Sequence, residues 1–168
     1  ATQSKILEGV DGNSLNITQG FLGSDANNFT TTLGREGSDY TAAIFAYCLN
    51  AKGVTIWKDV PGVLNADPRY FEHPTLLHSL SYEEAIELSY YGASVIHPKT
   101  LQPLQRKEIP LYVKSFLDPK NKGTIVGKAL ELSPNVPFCL FGKLTTTLFC
   151  QWGYINNDTF TIVHRIKS

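Results

Sequence analysis

Strand-type and helix-type patterns alternate through the middle of this chain, and that alternation points to a layered α/β fold. Val54 to Trp57 is a short, buried-type strand, and Pro110 to Ser115 is another. Three helix patterns surround them. The first starts at Ser38 or Asp39, either of which can cap it, and runs to about Asn50, with Ala43, Ala46, Tyr47 and Leu49 facing a core. The second opens on Ser81-x-x-Glu84, a capping box. It continues through Tyr90, with Ala85, Leu88 and Tyr91 on one face, and Gly92 closes it. The third covers Pro98 to Gln105, with proline in its first turn. Strands connected through helices predict a mainly parallel sheet. Upstream, residues 1–14 show no period, Leu15 to Phe21 reads as a short strand, and residues 22–37 read as loop.

Composition narrows the function classes. The chain has 168 residues, enough for one domain with a real core. Lys plus Arg and Asp plus Glu number 15 each, so no basic stripe marks a nucleic-acid partner. No apolar run approaches the roughly 18 residues of a membrane span, and no signal peptide is visible. Cys48, Cys139 and Cys150 lack metal-ligand spacing and read as reduced, buried thiols of a cytoplasmic protein. His73 and His78 have no third ligand near them, which argues against zinc. No protein-bound metal is expected.

The chemistry concentrates in Thr30-Thr31-Thr32-Leu33-Gly34-Arg35-Glu36-Gly37-Ser38-Asp39-Tyr40-Thr41-Ala42-Ala43, a polar loop that runs into the first helix. Free N–H groups and the positive dipole end at such an entrance suit an anion. Arg35 can fork onto a carboxylate or phosphate. Asp39 adds one negative charge there, fit for an amine, a lysine or a metal. The same pattern also describes an ordinary loop with an N-cap. Lys58 and Asp59 end a strand, at the carboxyl edge where α/β proteins put ligands. A lysine there either neutralises phosphate or is simply solvated. His97, just before a proline, reads as structural, Lys99, Arg106 and Lys107 as a solvated helix face, and Tyr90-Tyr91 as core.

Thr30 to Ala43 resembles the TTLGRGGSDYTA-type signature of the aspartate kinase branch of the amino acid kinase family, with Glu36 where many members carry glycine. Ile56-Trp57-Lys58-Asp59-Val60-Pro61-Gly62-Val63-Leu64-Asn65-Ala66-Asp67-Pro68-Arg69 resembles that family's nucleotide-binding segment. Tyr91-Gly92-Ala93-Ser94-Val95-Ile96-His97-Pro98 resembles its next turn, and Thr18 to Gly23 fits the strand and loop upstream. The blocks stand in the family's order and spacing, from about Asn16 to Thr124.

The resemblance implies a three-layer α/β/α sandwich, here incomplete. It also implies transfer of the ATP γ-phosphoryl group to the side-chain carboxylate of L-aspartate, giving 4-phospho-L-aspartate, the entry to lysine, threonine, methionine and isoleucine synthesis. Arg35 would clamp a substrate carboxylate, with Ser38 and the Gly37 backbone as neutral donors. Asp39 would be catalytic, holding the substrate ammonium and orienting the transferring groups and a lysine from the family's N-terminal half. Lys58, Asp59, Leu64, Arg69 and Ser94 would hold ATP; relatives place an aromatic at the Leu64 position and lysine at the Ser94 position. Mg²⁺ would arrive with the nucleotide. The family commonly forms homodimers. Two further readings are another amino acid kinase, and a non-catalytic, nucleotide-binding piece of such an enzyme.

That last reading has support in the sequence. The chain has no methionine, so it reads as a fragment or as a sequence with residues missing. The family's glycine-rich, lysine-bearing N-terminal half has no counterpart in it. Residues 1–132 would be part of the kinase domain. Residues 133–168 differ, with few charges and many β-branched and aromatic residues, and predict antiparallel strands at 138–141, 145–151 and 159–166. This tail would be a remnant of the regulatory (ACT-type) region or cover for a sheet edge.

Overall fold

The computed structural model describes residues 2–90 and 95–128, and the backbone of three strands within 138–166. Its main sheet holds β3 (Val54–Lys58), β4 (Ser79–Ser81), β5 (Leu111–Ser115) and β6 (Thr124–Gly127), in the order β3-β5-β6-β4. The β3/β5 and β4/β6 ladders are parallel and β5/β6 is antiparallel, so the sheet is mixed but mainly parallel, within the expected α/β class. Helices α2 (Gly37–Leu49), α3 (Tyr82–Tyr90) and α4 (Pro98–Arg106) pack with the sheet around one core.

Alternation along the strands decides which face they cover. Val54 and Ile56 on β3 sit beside Leu111 and Val113 on β5, and these join Leu80 and Val126 against Ala43, Ala46, Ala85, Leu88, Leu101 and Leu104. Six members of this core, Ala43, Leu101, Leu104, Leu111, Val113 and Val126, are fully shielded from water. Thr55 and Trp57 point to the other face and stay exposed, and Lys114 lies 5.8 Å from the Trp57 ring centre. Of the three expected layers, the described residues build the sheet and one helical layer.

Local signals set the helix ends. In α3 the capping box is complete: Ser81 N–H donates to Glu84 Oε2 at 2.7 Å, and Glu84 N–H donates to Ser81 Oγ at 3.1 Å. Its closing glycine, Gly92, and Tyr91 lie outside the described residues. Tyr90 is not core as expected but 74% exposed, because the buried stripe of α3 is Tyr82, Ala85 and Leu88. His97 caps α4, its Nδ1 accepting from Lys99 N–H at 3.1 Å, so its role is structural. Lys107 departs from the solvated face assigned to it. Its amine donates to Tyr47 O at 2.6 Å and lies 4.1 Å from the Tyr47 ring centre, at the carbonyl end of α2 where a cation is favoured.

The N-terminal segment departs from the sequence reading. Residues 2–9, which show no period, form helix α1 (Thr2–Gly9). It buries no residue and is tied to α2 through Gln3 Nε2, which donates to Cys48 O at 3.1 Å. Leu15 to Phe21 does not form the expected strand. No strand among the described residues pairs with it; at its end Phe21 O instead accepts from Leu33 N–H at 2.8 Å. Leu15 and Ile17 stay 89% and 90% exposed beside a cleft of about 490 Å³ between α1 and α2. Two short strands, β1 (Leu22–Ser24) and β2 (Thr30–Thr32), instead form an antiparallel hairpin within the expected loop. Cys48 is buried and free, as expected. In the tail, β7 (Phe138–Leu144), β8 (Thr147–Asn156) and β9 (Thr159–Ile166) form an antiparallel meander; β9 has the predicted bounds, while β7 and β8 run past their predicted ends.

Candidate functional site

The β1–β2 hairpin delivers Leu33-Gly34-Arg35-Glu36 to the start of α2. Gly34 has φ +79°, a left-handed turn that glycine takes without strain. Gly37 serves close packing: a Cβ there would lie 2.9 Å from Phe21 Cδ2 and 3.0 Å from Leu33 Cβ. The helix begins at Gly37, one to two residues before the expected Ser38 or Asp39 cap. Glu36 holds the cap position in the left-handed region, φ 54° and ψ 31°, and no side chain caps the helix. Ser38 and Asp39 therefore lie in the first turn, where N–H groups have no intrahelical acceptor. The Gly37 N–H is already bonded, to Gly34 O at 3.0 Å.

Thr41, absent from the sequence candidates, locks this entrance. Its hydroxyl donates to Gly37 O at 2.8 Å and accepts from Phe21 N–H at 3.0 Å. The Gly20-Phe21 turn is thus bound to the first turn of α2. A threonine one turn into a helix bonds back to the i−4 carbonyl readily, but its second partner, 20 residues upstream, leaves no local signal. Glu36, which departs from the family pattern, has its Oε2 buried without a hydrogen-bond partner.

The two principal sequence blocks meet at one contact. Lys58 Nζ, on the last residue of β3, donates to Asp39 Oδ2 at 2.6 Å. The side chains are 23% and 13% exposed. Asp39 also lies in the first turn of α2, where the helix dipole favours an anion. Arg35 and Ser38 are exposed beside this pair in sequence, and Arg35 forms no ion pair among the described residues. Asp59 follows Lys58 and is exposed.

The remaining candidates sit apart in the chain. Leu64 is half-buried and pairs with Leu76 in a bridge that Thr124 secures, its hydroxyl donating to Leu77 O at 2.6 Å and accepting from Val63 N–H at 2.8 Å. Arg69 is engaged by Asp67, with Nη2 to Oδ2 at 2.6 Å and Nε to Oδ1 at 3.0 Å. That guanidinium holds the Asp67 carboxyl below its ordinary range, and Asp67 in turn raises Arg69. Ser94 lies outside the described residues. Among the described residues no three His, Cys, Asp or Glu side chains converge as metal ligands, and no helix is long and apolar enough to cross a membrane.

An α/β unit with a polar, glycine-punctuated helix entrance beside the carboxyl end of a parallel strand is of the class that binds ligands at that edge. The comparison with known proteins makes the assignment narrower. The chain belongs to the amino acid kinase family, whose model matches residues 2–115. It is 48% identical over 118 residues to lysine-sensitive aspartokinase 3 of Escherichia coli, covering 70% of this chain and 26% of that protein. It is 46% identical over 110 residues to the chloroplastic bifunctional aspartokinase/homoserine dehydrogenase 2 of Arabidopsis thaliana, covering 66% of this chain and 12% of that one. The crystal structure of E. coli aspartokinase III in complex with aspartate and ADP (R-state) superposes with a TM-score of 0.68 at 44% identity, over 74% of this chain and 27% of that chain. Aspartate kinase of Clostridium acetobutylicum gives 0.66 at 35% identity, over 74% and 29%. The chain thus spans about a quarter of the length of these single-function relatives.

Proposed function

We propose that this chain is the nucleotide- and aspartate-binding part of an aspartate kinase, which transfers the γ-phosphoryl group of ATP to the side-chain carboxylate of L-aspartate. The observation that carries this reading is the Lys58–Asp39 contact, which joins the motif at the α2 entrance to the strand end of the second motif. The sequence likeness to aspartokinases supports it. Arg35 forks onto a substrate carboxylate, and Ser38 and the Gly37 backbone add neutral contacts. Asp39 orients the substrate ammonium and the transferring groups. Lys58, Asp59, Leu64, Arg69 and Ser94 hold ATP, Arg69 after leaving Asp67. Mg²⁺ enters with the nucleotide and is held by phosphate oxygens and water.

In this reaction a substrate oxygen bonds to the γ-phosphorus as the bond to the β,γ-bridging oxygen breaks, and ADP leaves with that electron pair. A carboxylate with a pKa of about 4 is already ionised at neutral pH, so the site needs no general base. Positioning and charge neutralisation do the work. The partial span of the relatives favours a second reading, in which the chain binds both ligands and requires further protein for turnover. Cytoplasmic action and a homodimer belong to the same proposal.

Hydroxylamine trapping tests it. The chain is incubated with MgATP, L-aspartate and hydroxylamine, alone and with the N-terminal half of an aspartokinase relative added. Hydroxamate from the chain alone supports a working kinase, and hydroxamate only after the addition supports the binding part. If calorimetry shows binding of neither MgATP nor L-aspartate, both readings fall.

A further inference from the structure

Lys58 and Asp39 are the only ion pair among the described residues that joins residues from different sequence blocks of the site. The contact is single: one amine N–H meets one carboxylate oxygen at 2.6 Å. A lysine amine carries three N–H donors on a flexible stem, so two remain for another acceptor. Both groups are largely shielded but still reach solvent, with 23% and 13% of their side chains exposed. Lys58 also ends β3, at the sheet edge where ligands collect in α/β folds.

We infer that Lys58 is a shared positioning residue. It holds the Asp39 carboxylate when the site is empty and swings toward the phosphates when a nucleoside triphosphate arrives, releasing Asp39 toward the second substrate. A polyphosphate carries more negative charge and more acceptor oxygens than one carboxylate, so it competes well for the amine. Nucleotide occupancy at the β3 edge would thereby reach the entrance of α2 through one side chain. The inference rests on the reading that the β3 edge holds the nucleotide.

The test measures binding, not turnover. The affinity for Mg²⁺ with a non-hydrolysable ATP analogue is determined by calorimetry for the wild-type chain, Asp39→Asn, Lys58→Met, Lys58→Arg and the Asp39→Asn/Lys58→Met double variant, each checked for native circular dichroism. Loss of the Lys58 amine should weaken binding about tenfold, the scale of one charge-assisted hydrogen bond, and Lys58→Arg should restore much of it. Asp39→Asn should tighten binding several-fold by freeing the amine. In the Lys58→Met background the same Asp39 change should do little. Equal tightening in both backgrounds would mean simple repulsion between Asp39 and phosphate and would overturn the inference while leaving the kinase reading intact. No tightening in either background overturns it too. A wild-type chain that binds no nucleotide overturns the kinase reading and this inference with it. Coupling in a chain that forms no hydroxamate supports the inference and removes only the catalytic claim.

Discussion

At the scale of single residues, the entrance to α2 holds local strain. Glu36 occupies a left-handed conformation with a buried, unpartnered Oε2. Both features cost free energy in a non-glycine residue. Glu36→Gly should therefore stabilise the chain by about 1 kcal/mol, after subtracting the backbone entropy of the added glycine. Urea unfolding would read this as a higher midpoint with an unchanged slope. Arg35 makes no ion pair among the described residues. Arg35→Lys keeps the charge and loses the fork, and should weaken L-aspartate binding about tenfold with MgATP affinity little changed. A parallel fall in both affinities would mean that Arg35 shapes the whole loop instead.

At the scale of elements, α3 shows how far local chemistry reaches. Its capping box satisfies two backbone donors through side chains three residues apart. Ser81→Ala should cost about 1 kcal/mol, read as a lower melting temperature without loss of nucleotide binding. The next residue anchors the helix at long range. Tyr82 is buried, and its hydroxyl donates to Ile109 O at 2.7 Å, just before β5. Burial, with help from Glu108 and Glu83, pushes this phenol up to about 12. The folded state thus holds the Tyr82 proton more tightly than the unfolded chain does. The stability this contributes is fully present below pH 10 and is lost as pH rises toward 12. Tyr82→Phe should flatten that alkaline decline in a pH series of melts, and should cost stability at neutral pH by leaving the Ile109 carbonyl unpaired.

At the scale of the whole molecule, one core joins the sheet to three helices, and Leu111 lies fully buried within it. Leu111→Ala should destabilise the chain by about 2–5 kcal/mol, a large part of the stability of a domain this size. Circular dichroism and tryptophan fluorescence should then report one early transition; separate transitions would mean that the core is not a single cooperative unit. The layer count is also a whole-molecule property. Trp57 is 47% exposed on a sheet face that no described helix covers. The fold class is plain in the alternation of patterns, while the occupancy of each face depends on what packs there.

The amino-acid sequence by itself determined the features whose causes lie within a few residues. The capping box of α3, the proline-led start of α4, strands β3 and β5 and the polar entrance to α2 are all legible, because hydrogen bonds and side-chain periodicity within about four residues produce them. The candidate residues Arg35, Gly37, Ser38, Asp39, Lys58 and Asp59 stand out in the sequence as compact runs. Tertiary structure decided the rest. Leu15 to Phe21 has strand-like residues, yet no ladder forms without a neighbour. β6 pairs antiparallel with β5 and parallel with β4, a choice made by strands that enter the sheet from distant parts of the chain. Thr41 bonds to Phe21, Lys107 to the end of α2, and Lys58 to Asp39, across separations of 20, 60 and 19 residues. Such contacts form only after the backbone has paid the entropy of bringing both ends together, and no window of local sequence records which ends will meet.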